Sequence, residues 1–319
     1  MSSDSNPIVR LARCFGPGWT KTAANIMLGR AVKSHRIAAR LTQKSLADGI
    51  HVSVSTINRL ETAESTPMRR TVESVIDYLK LDSAARDTMT MMLSRALEPE
   101  WFQKQFGDCT PDYLHRLLGL ESMAIHIRTY DVRLVPGVMQ TPDYIDHIVR
   151  SGLHLAEWKS EERDLRVAQR LERQKRVLGQ PDPPQCIFMM DDSVLRRKVG
   201  HRKTMHNQMI HLREMADLQH ITIRFVHSGR MIAGNEASMA GSMAQLQFGR
   251  GGLPDFVYVE QYLQAIYHNK PTRDPQKQLT RKQSDYERHL QLLLRIMGEG
   301  CASPAKSRKM LERAIKRWS

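Results

Sequence analysis

Residues 41–61 read L-T-Q-K-S-L-A-D-G-I-H-V-S-V-S-T-I-N-R-L-E, and this stretch decides the fold of the first part of the chain. Thr42 stands before Gln43-Lys44-Ser45-Leu46-Ala47, and Ser53 before Val54-Ser55-Thr56-Ile57-Asn58-Arg59-Leu60-Glu61. A hydroxyl residue just ahead of a run with helical apolar spacing signals an N-cap, because its oxygen can accept from an otherwise orphaned backbone N–H. Two helices follow, joined by the very short turn from Gly49 to Val52. At helical spacing Val52, Ile57 and Leu60 face inward, which leaves Val54, Ser55, Asn58 and Arg59 outward.

A helix held in this way can place its N-terminal end in a major groove. Arg59 can donate two hydrogen bonds to a guanine edge, Ser55 can pair with several bases, and Val54 offers a methyl contact that favours thymine; with Asn58 they form the candidate base-reading face. Gln43, Ser53, Thr56, Arg69 and Arg70 are the candidate phosphate contacts. Outward from this centre, Ile26 to Leu81 reads as four or five short helices, with Pro67 closing a polar loop and Val72, Val75, Ile76 and Leu79 resuming helical spacing. Ser83 to Leu97 adds a Met-rich amphipathic helix.

Charge supports an acidic partner. The chain has 319 residues, which at roughly 100 to 200 residues per domain points to two domains, and its net charge is +14. Residues 25–70 hold eight Lys/Arg against three acids, and residues 270–319 hold thirteen against five, so the middle is close to neutral. Hydrophobic residues at 41% and charged residues at 26% exclude the disordered and membrane classes. No apolar run approaches the length of a membrane span or a signal-peptide core, and a cytoplasmic protein is expected. Cys14, Cys109, Cys186 and Cys301 stand far apart with no C-x-x-C pair, so reduced thiols are expected, with no metal and no cofactor.

Residues 28–81 resemble the xenobiotic-response-element and phage-repressor family of helix-turn-helix domains, through V-K-S-H-R-I at 32–37, L-T-Q-K-S-L-A at 41–47 and S-V-S-T-I-N-R-L-E at 53–61. The resemblance implies that Arg36 and Glu61 form a structural ion pair fixing the first helix to the reading helix. The family usually has Gly where this chain has Arg40, His51 and Ala63, positions where turns often need positive φ. The rest of the chain resembles the C-terminal domain of an antitoxin-like group of regulators. The strings that carry this are I-R-T-Y-D-V-R-L-V-P-G-V-M-Q-T-P-D-Y at 127–144, R-L-E-R-Q-K-R-V-L at 170–178, M-M-D-D-S-V-L-R-R-K-V-G at 189–200 and F-V-Y-V-E at 256–260. That likeness implies a small partner protein encoded nearby.

In this second part, strand-like runs occur at 132–135, 186–190, 221–226, 243–248 and 256–259, separated by helical segments at 142–150, 161–178 and 204–218 and followed by helices at 284–297 and 305–318. Tyr130, Gln140 and Tyr144 around Pro136-Gly137 are a candidate ligand pocket, although a turn is the simpler role for Pro-Gly. Asp191-Asp192 with Arg196-Arg197 reads as capping and ion pairing rather than acid/base catalysis, and His201, His206 and His211 at five-residue spacing do not stack as metal ligands. Gly249-Arg250-Gly251-Gly252 reads as a hairpin turn and not a phosphate loop. The basic helix at 305–318 has Leu311, Ile315 and Trp318 along one side, suited to docking on a domain.

The expected fold is an N-terminal all-α helix-turn-helix domain of four to five helices followed by an α+β domain with a mostly antiparallel sheet and several helices. The boundaries are an N-terminal extension at 1–24, a DNA-binding domain at 25–97, a linker at 98–111 and a regulatory or partner-binding domain at 112–319. The expected function is sequence-specific DNA-binding regulation of transcription, not enzymatic, by a repressor-like homodimer on a palindromic double-stranded operator. A small-molecule effector or a small protein would bind the second domain. The alternative is an antitoxin-like protein that binds a small partner and autoregulates its operon.

Overall fold

A computed structural model of the chain describes residues 21–106, 110–152, 160–227, 240–249, 253–261, 264–271 and 283–319. It forms two compact units, one ending at Gln105 and the other beginning at Phe106. Residues 1–20 of the expected N-terminal extension, Cys14 and Cys109, and the Arg250-Gly251-Gly252 turn lie outside the described residues, while residues 21–24 already belong to the first helix.

The first unit contains α1 (Lys21–Ala38), α2 (Gln43–Gly49), α3 (Val54–Thr62), α4 (Arg69–Tyr78) and α5 (Ser83–Leu97). A short helix α6 (Trp101–Phe106) occupies much of the stretch expected to be linker. Met27, Leu28, Val32, Leu46, Ile57, Val72, Ile76, Met89 and Met92 are buried together as its core, so the Met-rich stripe of α5 fills space between helices. α1 packs on both α3 and α5. Its approach to α3 needs Gly29, where a Cβ would lie 2.4 Å from the Leu60 carbonyl oxygen and 2.9 Å from that of Glu61.

An ion pair locks the same two helices. Arg36 donates from Nε to Glu61 Oε1 at 2.5 Å and from Nη2 to Oε2 at 3.0 Å, and its third nitrogen, Nη1, donates to the Leu41 carbonyl at 2.7 Å. The side chains are 10% and 2% exposed, so the bidentate geometry compensates the desolvation of both charges. The turns carry the departures read from the sequence: Arg40, His51 and Ala63 all sit at positive φ (57°, 58° and 56°), and Lys80 joins them at 48°. Each is a side chain in a backbone region that costs roughly 1–2 kcal/mol outside glycine.

The second unit holds α7 (Asp112–Leu120), β1 (His126–Asp131), α8 (Pro142–Gly152), α9 (Ser160–Leu178), β2 (Gln185–Asp191), α10 (Arg202–Met215) and β3 (Ile221–Val226). β4 (Met243–Gln247), β5 (Phe256–Glu260), β6 (Ala265–Asn269), α11 (Asp285–Arg295) and α12 (Pro304–Trp318) complete it. The sheet order is β3-β2-β1-β4-β5-β6. β1, β2 and β3 run parallel, and β1-β4, β4-β5 and β5-β6 are antiparallel. The sheet is therefore mixed, with antiparallel pairings in the majority as expected, and its parallel part arises because the helices α8 to α10 return the chain so that β1, β2 and β3 enter from the same end. The first strand lies at 126–131, not 132–135; residues after Asp131 lead instead into a 3-10 turn at Gly137–Met139. β6 was not legible as a strand.

Strand alternation gives the sheet two faces. Tyr130, Met189, Met243 and Val257 form an apolar core with Tyr286, Leu293 and Ile296 from α11 and the turn after it. The opposite face is also largely apolar, with Ile127, Phe188, Met190, Leu246 and Phe256 buried on it, and carries polar groups toward one end, Thr129 and Asp131 of β1 and Tyr258 and Glu260 of β5. α12 docks on α10 and β3 through buried Leu311, Ala314 and Ser307, and Trp318 Nε1 donates to the Leu195 carbonyl at 2.9 Å. Lys306, Lys309, Arg313, Lys316 and Arg317 stay exposed, as expected for the solvated face of a docked helix. A π-helical turn at Ile296–Gly300 precedes it, and Arg224 of β3 donates to the carbonyls of Met297 (2.8 Å), Cys301 (3.1 Å) and Ala302 (2.9 Å).

Arg36→Leu leaves Glu61 buried beside one amide, and should cost about 3–5 kcal/mol in denaturant unfolding of the first unit. Ala63→Gly relieves the left-handed turn after α3 and should stabilise the same unit by about 1 kcal/mol; a loss of stability would show that the turn is unstrained.

Candidate functional site

The site begins with the two caps. Thr42 Oγ1 accepts from the Ser45 N–H at 3.0 Å and Ser53 Oγ accepts from the Thr56 N–H at 3.0 Å, which starts α2 and α3 where the sequence places them. The turn between them closes with Val52 N–H on the Ala47 carbonyl at 3.0 Å. Ile57, Leu60 and Glu61 of α3 are buried, and Val54, Ser55, Asn58 and Arg59 are exposed on the opposite side. Among the described residues no hydrogen bond or ion pair holds the Arg59 side chain, so its guanidinium is available to a ligand.

The expected phosphate contacts divide. Ser53 and Thr56 share a hydroxyl contact at 2.8 Å beside the exposed first turn of α3. Arg70 is exposed, and Arg69, also exposed, lies 3.9 Å from Glu73 one turn along α4. Gln43 is different: its Nε2 donates to Glu61 Oε2 at 2.9 Å and lies 3.5 Å from Asn58 Oδ1. That nitrogen bridges α2 to α3 and extends the Arg36–Glu61 pair into a three-residue clamp. The sequence signal for this role was the pairing of a Gln at the start of one helix with a carboxylate that must be buried on the next.

The three candidate pocket residues of the second unit are not brought together. Tyr130 belongs to the apolar core under α11. Gln140 and Tyr144 both serve Val135, Gln140 Nε2 donating to its carbonyl at 2.7 Å and the Tyr144 hydroxyl accepting from its N–H at 3.4 Å. Asp191 caps the Ser193 N–H at 2.9 Å, and Asp192 pairs with Arg196 at 2.9 Å and His227 at 3.4 Å, the capping and pairing expected of them. His201 meets His147 edge-on, and His206 lies against the Ile315 carbonyl at 3.3 Å.

Near Gln140 the structure assembles polar groups that the sequence did not link. Arg170 Nη1 donates to Gln140 Oε1 at 2.8 Å, and Arg173 grips Glu121 through Nε at 2.5 Å and Nη2 at 2.9 Å. Asp131, half-buried at the end of β1, accepts from Thr129 Oγ1 at 2.7 Å. Removal from water pushes its carboxyl up to about 7, helped by the neighbouring Glu260 and opposed by the Thr129 hydroxyl and Arg173. The folded chain then keeps a proton that the unfolded chain releases near its ordinary pKa of 3.8. Stability should therefore fall as pH rises from about 4 to about 7 and level off above. Thermal unfolding of Asp131→Asn across that window should show a shallower fall than the parent; an unchanged slope would assign the proton elsewhere.

Among the described residues no helix is long and apolar enough to cross a membrane. Residues 27–89, from within α1 to within α5, match the model of a helix-turn-helix domain. Residues 114–313, more than half of the chain, match the model described as a domain of unknown function (DUF5753). No curated protein and no solved structure matches the chain. A capped two-helix turn with an exposed polar face, followed by a mixed-sheet domain that fits the second model almost end to end, leads to one assignment: the chain belongs to the DUF5753 family and carries a helix-turn-helix DNA-binding domain ahead of that domain.

Proposed function

We propose that the protein is a sequence-specific transcriptional regulator, acting in the cytoplasm as a homodimer on a palindromic operator, whose second domain senses a ligand or a protein partner and catalyses no reaction. The observation that carries this reading is the exposure of Val54, Ser55, Asn58 and Arg59 on a helix that the Arg36–Glu61–Gln43 clamp holds rigidly. Preorganisation matters because a short reading helix contributes few base contacts, and any mobility would be subtracted from each of them. One such helix covers only a few base pairs, so two copies on half-sites about 34 Å apart supply the specificity.

In this reading Arg59 addresses a guanine, Ser55 and Asn58 read neighbouring bases, and Val54 packs on a thymine methyl. Arg70 and the first turn of α3 would sit on phosphates, setting register without reading sequence. Antitoxin-like neutralisation of a small partner is a use to which the second domain could be put, but no surface of that domain singles it out.

Fluorescence anisotropy on genomic fragments, including the region upstream of the gene, tests the reading. Tight binding to a few fragments is expected, falling steeply with salt as phosphate contacts release counterions. Arg59→Ala should weaken the preferred fragment by about 1–3 kcal/mol and relax one base position, whereas Arg70→Ala should weaken all fragments alike. Unchanged base preference in Arg59→Ala would remove Arg59 from the reading face.

A further inference from the structure

α9 carries Arg166, Arg170 and Arg173 at i, i+4 and i+7, a single stripe on one side of the helix. The stripe lies near the polar end of one face of the sheet. Asp131 ends β1 on that face, and Tyr258 and Glu260 follow each other along β5 on the same face. The groups act on one another electrostatically: Arg170 on Glu260 and Tyr113, Arg173 on Glu260, Asp131 and Tyr258. Tyr258 packs edge-on against Tyr267, whose hydroxyl donates to the Tyr113 carbonyl at 2.6 Å, so the tyrosines wall one side.

Hydrogen-bond accounting separates this cluster from an ordinary structural one. Glu121 fills the fork of Arg173. Arg170 has no such partner: its Nη1 donates to the neutral oxygen of Gln140, and among the described residues no carboxylate lies within 4.0 Å of it. Burial, with Arg173 and Arg166 as like-charged neighbours, pulls its guanidinium down to about 10. Tyr258 is 4% exposed, and among the described residues its hydroxyl has no hydrogen-bond partner. A buried hydroxyl without a partner is costly unless something arrives to satisfy it. The Tyr258 hydroxyl thus lacks a partner in a cluster where the hydrogen bond of Arg170 goes to a neutral acceptor, and burial raises the carboxyls of Asp131 and Glu260, which weakens the negative charge facing the arginines.

The cluster is open to solvent on one side. Glu260 is exposed, Arg170 and Asp131 are half-buried, and Tyr258 is buried. A duplex phosphate could not follow that gradient inward, but a small molecule could. We infer that this cluster is a binding site for a small oxyanion, a carboxylate or phosphate metabolite, gripped by the Arg170 guanidinium and met by the Tyr258 hydroxyl at its buried end. Calling that metabolite an effector rests on the regulator reading above; the site itself does not.

The test is titration of the full chain with inorganic phosphate and, separately, with succinate, against chloride at equal ionic strength, followed by calorimetry and thermal unfolding without DNA. Saturable one-site binding of either anion is expected, with a rise in Tm of roughly 5–10 °C at a hundred times Kd. The tighter anion identifies the phosphoryl or carboxylate class. Tyr258→Phe and Arg170→Gln should each weaken that binding tenfold or more, and Tyr258→Phe should unfold in anion-free buffer no earlier than the parent, since its hydroxyl has nothing to lose. Failure of both anions to bind saturably overturns the inference, as does binding undiminished in both variants. Operator titration in the absence of anion reports on the regulator reading separately, so either can fail alone.

Discussion

A single carboxylate organises the DNA-binding unit. Glu61 lies on the inward side of the helix whose outward side carries the proposed base-reading residues, and a buried negative charge is tolerated only if its oxygens are matched by donors. Arg36 supplies two, Gln43 a third, and the Arg36 nitrogen left over takes the Leu41 carbonyl at the end of the first turn. Three helices and one connection are thereby fixed to one point. Gly29 completes the arrangement by letting the backbone of α1 come within contact of the last carbonyls of α3, a distance at which any side chain would push the two apart. The position of Arg59 in space follows from these contacts more than from its own helix.

The second unit is built on a different division of labour. One face of its sheet closes on α11, and the other, apolar over most of its area, ends in polar groups near an arginine-bearing helix. β1 and β5 both run antiparallel to β4 between them, so their C-terminal ends come to the same edge, which is why Asp131 finishes near Glu260 rather than at the far end of the sheet. The tyrosine at 130 contributes to packing, and the one at 258, on the opposite face, is left among the described residues with an unused hydroxyl.

Much of the first unit was legible in the sequence because its signals are local. Thr42 and Ser53 announce two helices through cap chemistry, and helical spacing separates Ile57 and Leu60 from Asn58 and Arg59, while the left-handed turns at Arg40, His51 and Ala63 were pointed to by the resemblance to a family that usually has glycine there. The role of Gln43 escaped because a polar residue at a helix start looks alike whether it faces solvent or a buried acid. In the second unit the helices could be read and the pairing of strands could not. His126 to Asp131 contains few apolar residues, so the apolar run just after it drew the strand assignment. The cluster around Arg170 joins α9, β1 and β5, segments more than thirty residues apart, and no spacing along the chain encodes such a meeting.

Arg224 leads to a consequence for how copies of this protein behave toward one another. β3 is the outermost strand on its side, and an outermost strand ordinarily offers its unpaired amides and carbonyls to a neighbour's chain. Here Val226 pairs across to Cys301, Ala302 donates to the Phe225 carbonyl, and Ser307 takes the Phe225 N–H, while the guanidinium of Arg224 gathers the carbonyls that the π-helical turn leaves open. The last helix is thereby stitched along that border as a selvedge, and at this margin the sheet cannot be extended into a ribbon by a second molecule.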